Sequence, residues 1–291
     1  MQERLGMALT INTNLSSMIV QKNLNSATTG LNSAIEKMTT GYRINHAKDD
    51  AAGYSIATSW ATKISSLDVA SENASMGLDM LKTAEENYSL ITQHLQRARD
   101  LTEQAANGTY GADSKAAIQA EITARLTEID RISANAEFNG IALMKDAGEE
   151  LTLQIGIDKS NNSKITLEAG LFAAANTAKL FANGGADAKL DEVAKACVGD
   201  AAADQLDKLD TAIKNISTRV TSLGAAQNRV ESAISAIAVQ SENLTSSLST
   251  IKDADVAEES SSYIKAQILQ QASATLLATA NQSPSIALNL I

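Results

Sequence analysis

His46 and His94 are the chain's two histidines, 48 positions apart, and neither is followed by glutamate. A zinc site takes several nitrogen, sulfur or carboxylate ligands at close spacing, and the H-E-x-x-H pattern that would supply them from one helix is missing. Cys197, the single cysteine, could act as a nucleophile beside either histidine. Nothing in the sequence orients such a pair, so an idle or buried thiol is the simpler reading. One cysteine also excludes an intramolecular disulfide framework. The carboxylates Asp49, Asp50, Asp255, Glu258 and Glu259 could ligate calcium. They lack the alternating oxygen ligands and glycine turn of a calcium loop, so helix caps and salt bridges are expected there. No phosphate-cradling glycine loop occurs. The chain therefore reads as no enzyme, with no catalytic residue, no metal and no cofactor.

What these residues sit on is helix. The 291 residues are 44% apolar but only 3% aromatic, so Ala, Leu, Ile and Val carry the burial. The one proline is Pro284, which leaves nothing of that kind to break a long helix before it. The net charge of −10 argues against a nucleic-acid partner, which calls for a basic face, and against an anionic membrane surface. No window holds 18 consecutive apolar residues, and residues 1–14 lack the apolar stretch of a secretory signal.

The clearest period lies late in the chain. From Leu206 the steps alternate three and four through Leu209, Ile213, Ile216, Val220, Leu223, Gln227, Val230, Ile234, Ile237, Ser241, Leu244, Leu248 and Ile251. Only Gln227 and Ser241 break a run of Leu, Ile and Val, and the 46 residues would span about 69 Å. A spacing held this long is a coiled-coil seam that needs partner helices along its length. One candidate runs from Trp60 through Ile64, Leu67, Ala74, Leu78 and Leu81 to Tyr88, Ile91, Leu95 and Ala98, with a shift in the pattern near Glu85. Another reads Ile118, Ile122, Leu126, Ile129, Ile132 and Ala136, with Ser114 expected as its N-cap after an Asn107–Ser114 turn. Three such helices make a bundle. The period then drops to two in Leu151, Leu153, Ile155 and Ile157, and again in Ile165 and Leu167, which predicts a β-hairpin with a long loop. Residues 171–203 show no usable period.

The two ends are unusual. Residues 8–35 carry one formal charge, Lys22, and residues 266–291 carry none. Leu24, Leu31 and Met38 recur every seven, with Val20, Ala27 and Ala34 between them, while Ile264, Ile268, Ala272 and Leu276 recur every four. A surface helix keeps charge on its wet face, so an uncharged yet polar helix suits burial against other protein on several sides. The ends are expected to pair with each other and then with copies of themselves, because a helix without a partner is marginal in water. Disordered tails are the bland alternative, but disorder goes with high charge and few apolar residues.

On these motifs the chain resembles bacterial flagellin. Ala8–Asn14 is similar to that family's amino terminus, and Lys37–Gly53 resembles its R-L-S-S-G-x-R-I-N-S-A-K-D-D-A-A-G run, departing at Lys37, Met38, Thr39, Thr40 and His46. Leu95–Asn107, Ile118–Glu121, Glu137–Gly140 and Ile268–Gln282 follow in family order, so the resemblance covers residues 7–168 and 205–291. It implies a mainly α fold: a long coiled-coil bundle with one β-hairpin, whose N- and C-terminal helices pair as a filament-core domain. On that pattern residues 7–48 and 253–291 form the core domain, and 49–170 and 205–252 form the rod. Residues 171–204 stand as a short excursion where many flagellins carry outer domains, and Met1–Gly6 as an N-terminal extension. The resemblance also implies a self-assembling extracellular filament for motility, with Leu15, Leu24, Leu31, Met38, Ile264, Ile268, Leu276, Leu288, Leu290 and Ile291 in the assembly core. Its implied partners are the flagellar cap and hook-associated proteins and an export chaperone on the C-terminal helix. Export would run through the flagellar type III apparatus, without a cleaved signal.

Family members are sensed by a Toll-like receptor through the rod, and the matching positions are Arg97, Leu101, Gln104 and Glu121, with Asp100 where Glu is common. Arg97 and Gln104 are seven apart, on one helix face, and Leu101 between them reads as an apolar anchor. Glu121 also stands four before Arg125, an ordinary helix pair. A hook–filament junction protein would share the terminal motifs, but the match over 95–140 speaks against it. A secreted coiled-coil adhesin would explain the heptads and not the uncharged ends.

Overall fold

A chain nearly free of proline folds almost wholly as helix. The computed structural model describes residues 13–144, 150–182, 189–198 and 202–288, with side chains described up to residue 282. Its described elements are α1 (Leu15–Thr40), α2 (Ala51–Ala106), α3 (Ala112–Asn135), β1 (Glu137–Phe138), β2 (Ile141–Ala142), β3 (Leu151–Gln154), β4 (Lys164–Leu167), α4 (Thr177–Leu180), α5 (Leu190–Ala196), α6 (Ala202–Lys252) and α7 (Val256–Leu288). They fall into two compact units, Met1–Thr62 with Asn243–Ile291, and Lys63–Glu242. The divisions lie inside α2 and α6.

In the larger unit α2, α3 and α6 share one apolar core. The predicted α6 seam holds: Leu209, Ile216, Leu223, Val230 and Ile237, one per heptad, are buried. On α2 the expected shift near Glu85 is absent. The buried positions run unbroken at three and four from Leu67 through Ala70, Ala74, Gly77, Leu81, Ala84, Tyr88, Ile91, Leu95 and Ala98. Small residues (Ala70, Gly77, Ala84) hold several of these positions, so a search for large apolar side chains passes over them. The α3 stripe is buried as expected, but the helix starts at Ala112 with Gly111 as its N-cap, so Ser114 lies in the first turn.

The predicted hairpin is β3–β4, in the register Leu151↔Leu167 and Leu153↔Ile165. It seats on α2 at Gly77, where a Cβ would collide with the side chain of Leu153. At the loop end, Ile155 and Gly156 both donate to the carbonyl of Ser163, so two residues oppose one in a β-bulge. A second, smaller hairpin, β1–β2, was not expected. Its turn residues Asn139 and Gly140 both have positive φ (49° and 76°), the type I′ geometry that Asn-Gly favours.

Residues 171–181, which have no period, are tied down by side chains of the three long helices. The buried Tyr88 hydroxyl lies 3.0 and 2.9 Å from the carbonyls of Leu171 and Ala173. Arg219 donates to the carbonyls of Ala173 and Ala174. Asp130 on α3 accepts from the Thr177 amide at 2.6 Å and from its hydroxyl at 2.7 Å. Burial pushes the Tyr88 phenol up, and the nearby Arg219 guanidinium partly opposes that shift.

Candidate assembly interface

The smaller unit builds its surface from α1 and α7, which pack antiparallel over their length. Asn14 caps α1 by accepting from the Ser17 amide, and its own amide donates to the carbonyl of Ala280. Further along, Ser17 bonds Asn281, Gln270 donates to Thr28, and Lys37 pairs with Glu259 at 3.0 Å. The buried positions between these bonds are small: Ala27 and Ala34 on α1, Ala266 and Ser273 on α7. Gly30 faces the Ala266 methyl across the same contact. Small side chains let the two backbones approach, while the hydroxyl and amide pairs fix which residues meet.

A clasp joins the C-terminal end of α1 to the segment that leads into α7. Gly41 ends α1 at φ 73° and returns its amide to Lys37. The Arg43 amide donates to the carbonyl of Lys252 at 2.7 Å, the Ala254 amide donates to that of Gly41 at 2.9 Å, and the Arg43 guanidinium reaches the Ile251 carbonyl. The Lys252 ammonium sits 3.9 Å from the centre of the Tyr42 ring. Asp50 caps α2 at the Gly53 amide, and Gly53 has no side chain because Asp50 and the buried Ile44 occupy that space. Asp255 caps α7 at the amides of Ala257 and Glu258. Of the carboxylates weighed as calcium ligands, Asp50 and Asp255 thus cap helices and Glu259 forms an ion pair. Asp49 accepts from the amides of His46 and Asn45, and those bonds hold its carboxyl below the ordinary range.

The large apolar side chains of α1 and α7 point the other way. Leu15 is 68% exposed and Ile268 59%, and Met38, Ile264 and Leu276 are exposed with them. Leu24 and Leu31 are half-buried beside the alanine seam. Leu288 ends α7, with only its backbone described, and Leu290 and Ile291 lie outside the described residues. Met18, Ile19, Ile35 and Leu269 join the exposed set. They fall off the four- and seven-residue repeats read from the sequence, although the missing charge around them is the signal that includes them. The α1–α7 pair is thus largely inverted: small and polar residues fill its seam, and most of its large aliphatic residues face water. Exposed apolar surface of this extent marks an interaction site.

The α2–α3 face carries the other predicted residues. Arg97 pairs with Glu121 at 3.0 Å, Glu121 also lies 3.6 Å from Arg125, and Gln104 donates to the Tyr110 hydroxyl. Leu101 departs from expectation. It is 3% exposed, at the edge of the α2 seam, so it is a core residue and not a surface anchor. One turn on from Arg97 carries the chain about 40° round the helix, enough to take position 101 under the bundle. Cys197 is fully buried and burial raises its thiol pKa. Among the described residues, no group of three or more His, Cys, Asp or Glu is placed to hold a metal ion, and no helix is long and apolar enough to cross a membrane.

Comparison with known proteins gives the following. The family model of the bacterial flagellin N-terminal helical region matches residues 11–148, and that of the C-terminal helical region matches residues 206–291. The chain is 32% identical over 289 residues to Flagellin FlaB1 of Treponema pallidum, with 97% of this chain and 99% of that one covered. It is 33% identical to the Flagellar filament 33 kDa core protein of Treponema phagedenis and 32% identical to Flagellin of Listeria innocua, each with 97% of this chain and 99% of the relative covered. A crystal structure of Bacillus cereus flagellin aligns with 57% of this chain and 88% of that one, at a TM-score of 0.46 and 26% identity.

Proposed function

The chain belongs to the bacterial flagellin family, structural proteins that polymerise into the extracellular flagellar filament, and from that premise we propose how its own surfaces are used. It is a filament subunit and not an enzyme. In our reading α1 and α7 of successive copies form the filament core, and the three-helix bundle forms a surrounding layer. Residues 7–48 with 253–291 make the core domain, and 49–170 with 205–252 the rod. The observation that carries this is the α1–α7 pair, many of whose large aliphatic side chains, Leu15, Ile264, Ile268 and Leu276 among them, stand exposed among the described residues. Identical head-to-tail contacts that do not close generate a helix of subunits. Seeding concentrated protein with filament fragments tests it. Intact chains should lengthen the seeds in electron micrographs, and chains cut after Ile251 should not. Growth by the shortened chain would refute the reading.

The remaining roles rest on the family pattern. Export proceeds through the flagellar type III apparatus as an unfolded chain, with a chaperone holding the α7 segment until release. Growth takes place under the cap and on the hook-associated proteins. A Toll-like receptor reads the monomer at Arg97, Gln104 and Glu121, with Leu101 shaping that face from beneath. The support is the exposure of the Arg97–Glu121 pair on the α2–α3 face. Truncating an arginine that serves as a binding hot spot costs about tenfold or more in binding. Arg97→Ala should therefore reduce receptor activation by monomer about tenfold while leaving the melting temperature unchanged. Undiminished activation would remove the arginine from the patch.

A further inference from the structure

Two irregularities in the sequence meet in the structure. Gln227 interrupts the α6 seam, and Glu85 stands where the α2 pattern looks displaced. The Gln227 amide donates to the Glu85 carboxylate at 2.7 Å, with both side chains half-buried between the helices. The connections say why such a contact matters. α2 and α3 are joined by a short turn, so their relative register follows from the chain. α6 arrives only after residues 136–201, so its register on α2 is not set by chain connectivity and must come from side-chain contacts, among them the bonds of Tyr88 and Arg219 to the carbonyl of Ala173. The seam itself does not set it: Leu209, Ile216, Leu223, Val230 and Ile237 are aliphatic at every heptad. A shift of one heptad, about 10 Å, would keep the α6 aliphatic side chains on the apolar α2 seam, where Leu67, Ala74, Leu81, Tyr88 and Leu95 recur every seven.

Polar residues break that degeneracy. After a one-heptad shift Gln227 would face Leu78 or Thr92 in place of Glu85, and its half-buried amide would lose the charged acceptor that it has on Glu85. We propose that Glu85 and Gln227 are positioning residues for assembly: their bond pins the register of α6 on α2, and so the length and outline of the rod that each copy presents to its neighbours. Arg219, whose guanidinium is 5.9 Å from the Tyr88 ring, supports the same register from two turns away. The exposed Arg99–Asp210 pair adds little, because surface ion pairs are weak. The consequence for the polymer rests on the filament reading, but register can be measured on the monomer, so failure of one is distinguishable from failure of the other.

Cysteine pairs at 99 and 210, 99 and 217, and 99 and 203, each in a Cys197→Ala background, report the native register and the two shifted ones. With Glu85 and Gln227 present only the first pair should cross-link readily. Glu85→Leu with Gln227→Leu should speed cross-linking of a shifted pair about ten- to a hundredfold, the factor that one unsatisfied amide imposes. The same variant should melt no lower than the parent and should lengthen seeds more slowly. The exchanged pair, Glu85→Gln with Gln227→Glu, should restore both the native cross-link and the growth rate. Shifted cross-linking that stayed at the parent's rate in the leucine variant, or rose equally in the exchanged one, would overturn the proposal. So would a leucine variant that failed to fold, since apolar side chains suit a seam if the polar pair serves register alone.

Discussion

Ile268→Asp is expected to leave the monomer unchanged and to stop the filament from growing. Ile268 is 59% exposed, and a substitution at an exposed helical position typically moves stability by no more than about half a kcal/mol. Helix content and melting temperature should therefore match the parent. In the filament core we propose, another copy would cover the same position, and a carboxylate taken out of water without a partner costs several kcal/mol. A penalty of about 3 kcal/mol per subunit raises the concentration needed for growth by about a hundredfold. Ile264→Asp and Leu276→Asp should behave alike, because they share the uncovered stripe. The measurement is the concentration of free chains left at the end of seeded growth. If the aspartate variants left no more free chain than the parent, the stripe would not be the core contact.

The second large effect lies in the bundle. Asp130→Ala removes the carboxylate that binds both the amide and the hydroxyl of Thr177, a residue only 2% exposed. A buried donor left without a partner costs about 1–3 kcal/mol, and two are orphaned here, so a loss of about 2–4 kcal/mol is expected. For a unit of this size that corresponds to a melting temperature roughly 5–15 °C lower. Thr177→Val should cost less, because the Asp130 carboxylate keeps the backbone amide of residue 177. Limited proteolysis should cut the Asp130→Ala variant within 171–181, while the Tyr88 and Arg219 bonds still hold the start of that segment. A variant that melted with the parent and resisted protease would show that this carboxylate is dispensable.

Much of this molecule was legible before its coordinates. Periods of three and four located α2, α3 and α6, and a period of two located β3 and β4, because burial on one face imposes those repeats on any chain that folds. The uncharged ends pointed to helices that pair, and α1 and α7 pack on each other. Ala74 and Ala98 were legible as α2 seam positions but Ala70, Gly77 and Ala84 were not, since alanine and glycine look alike in a seam and on a surface until a partner is in place. The Asn139-Gly140 hairpin was visible in principle. Its strands are only two residues long, too short to set up a period.

The sequence by itself determined that the chain is helical, that it lacks the spacing for metal or nucleophile chemistry, and that its two ends seek partners. These follow from residue type and local repeat, which act over a few turns of chain. Only the tertiary structure decided that Leu101 belongs to the core, that residues 171–181 are strapped to the bundle, and that Gln227 meets Glu85. Each of those depends on which side chains arrive from more than twenty positions away, and such meetings are settled by packing and by the need to pair every buried polar group.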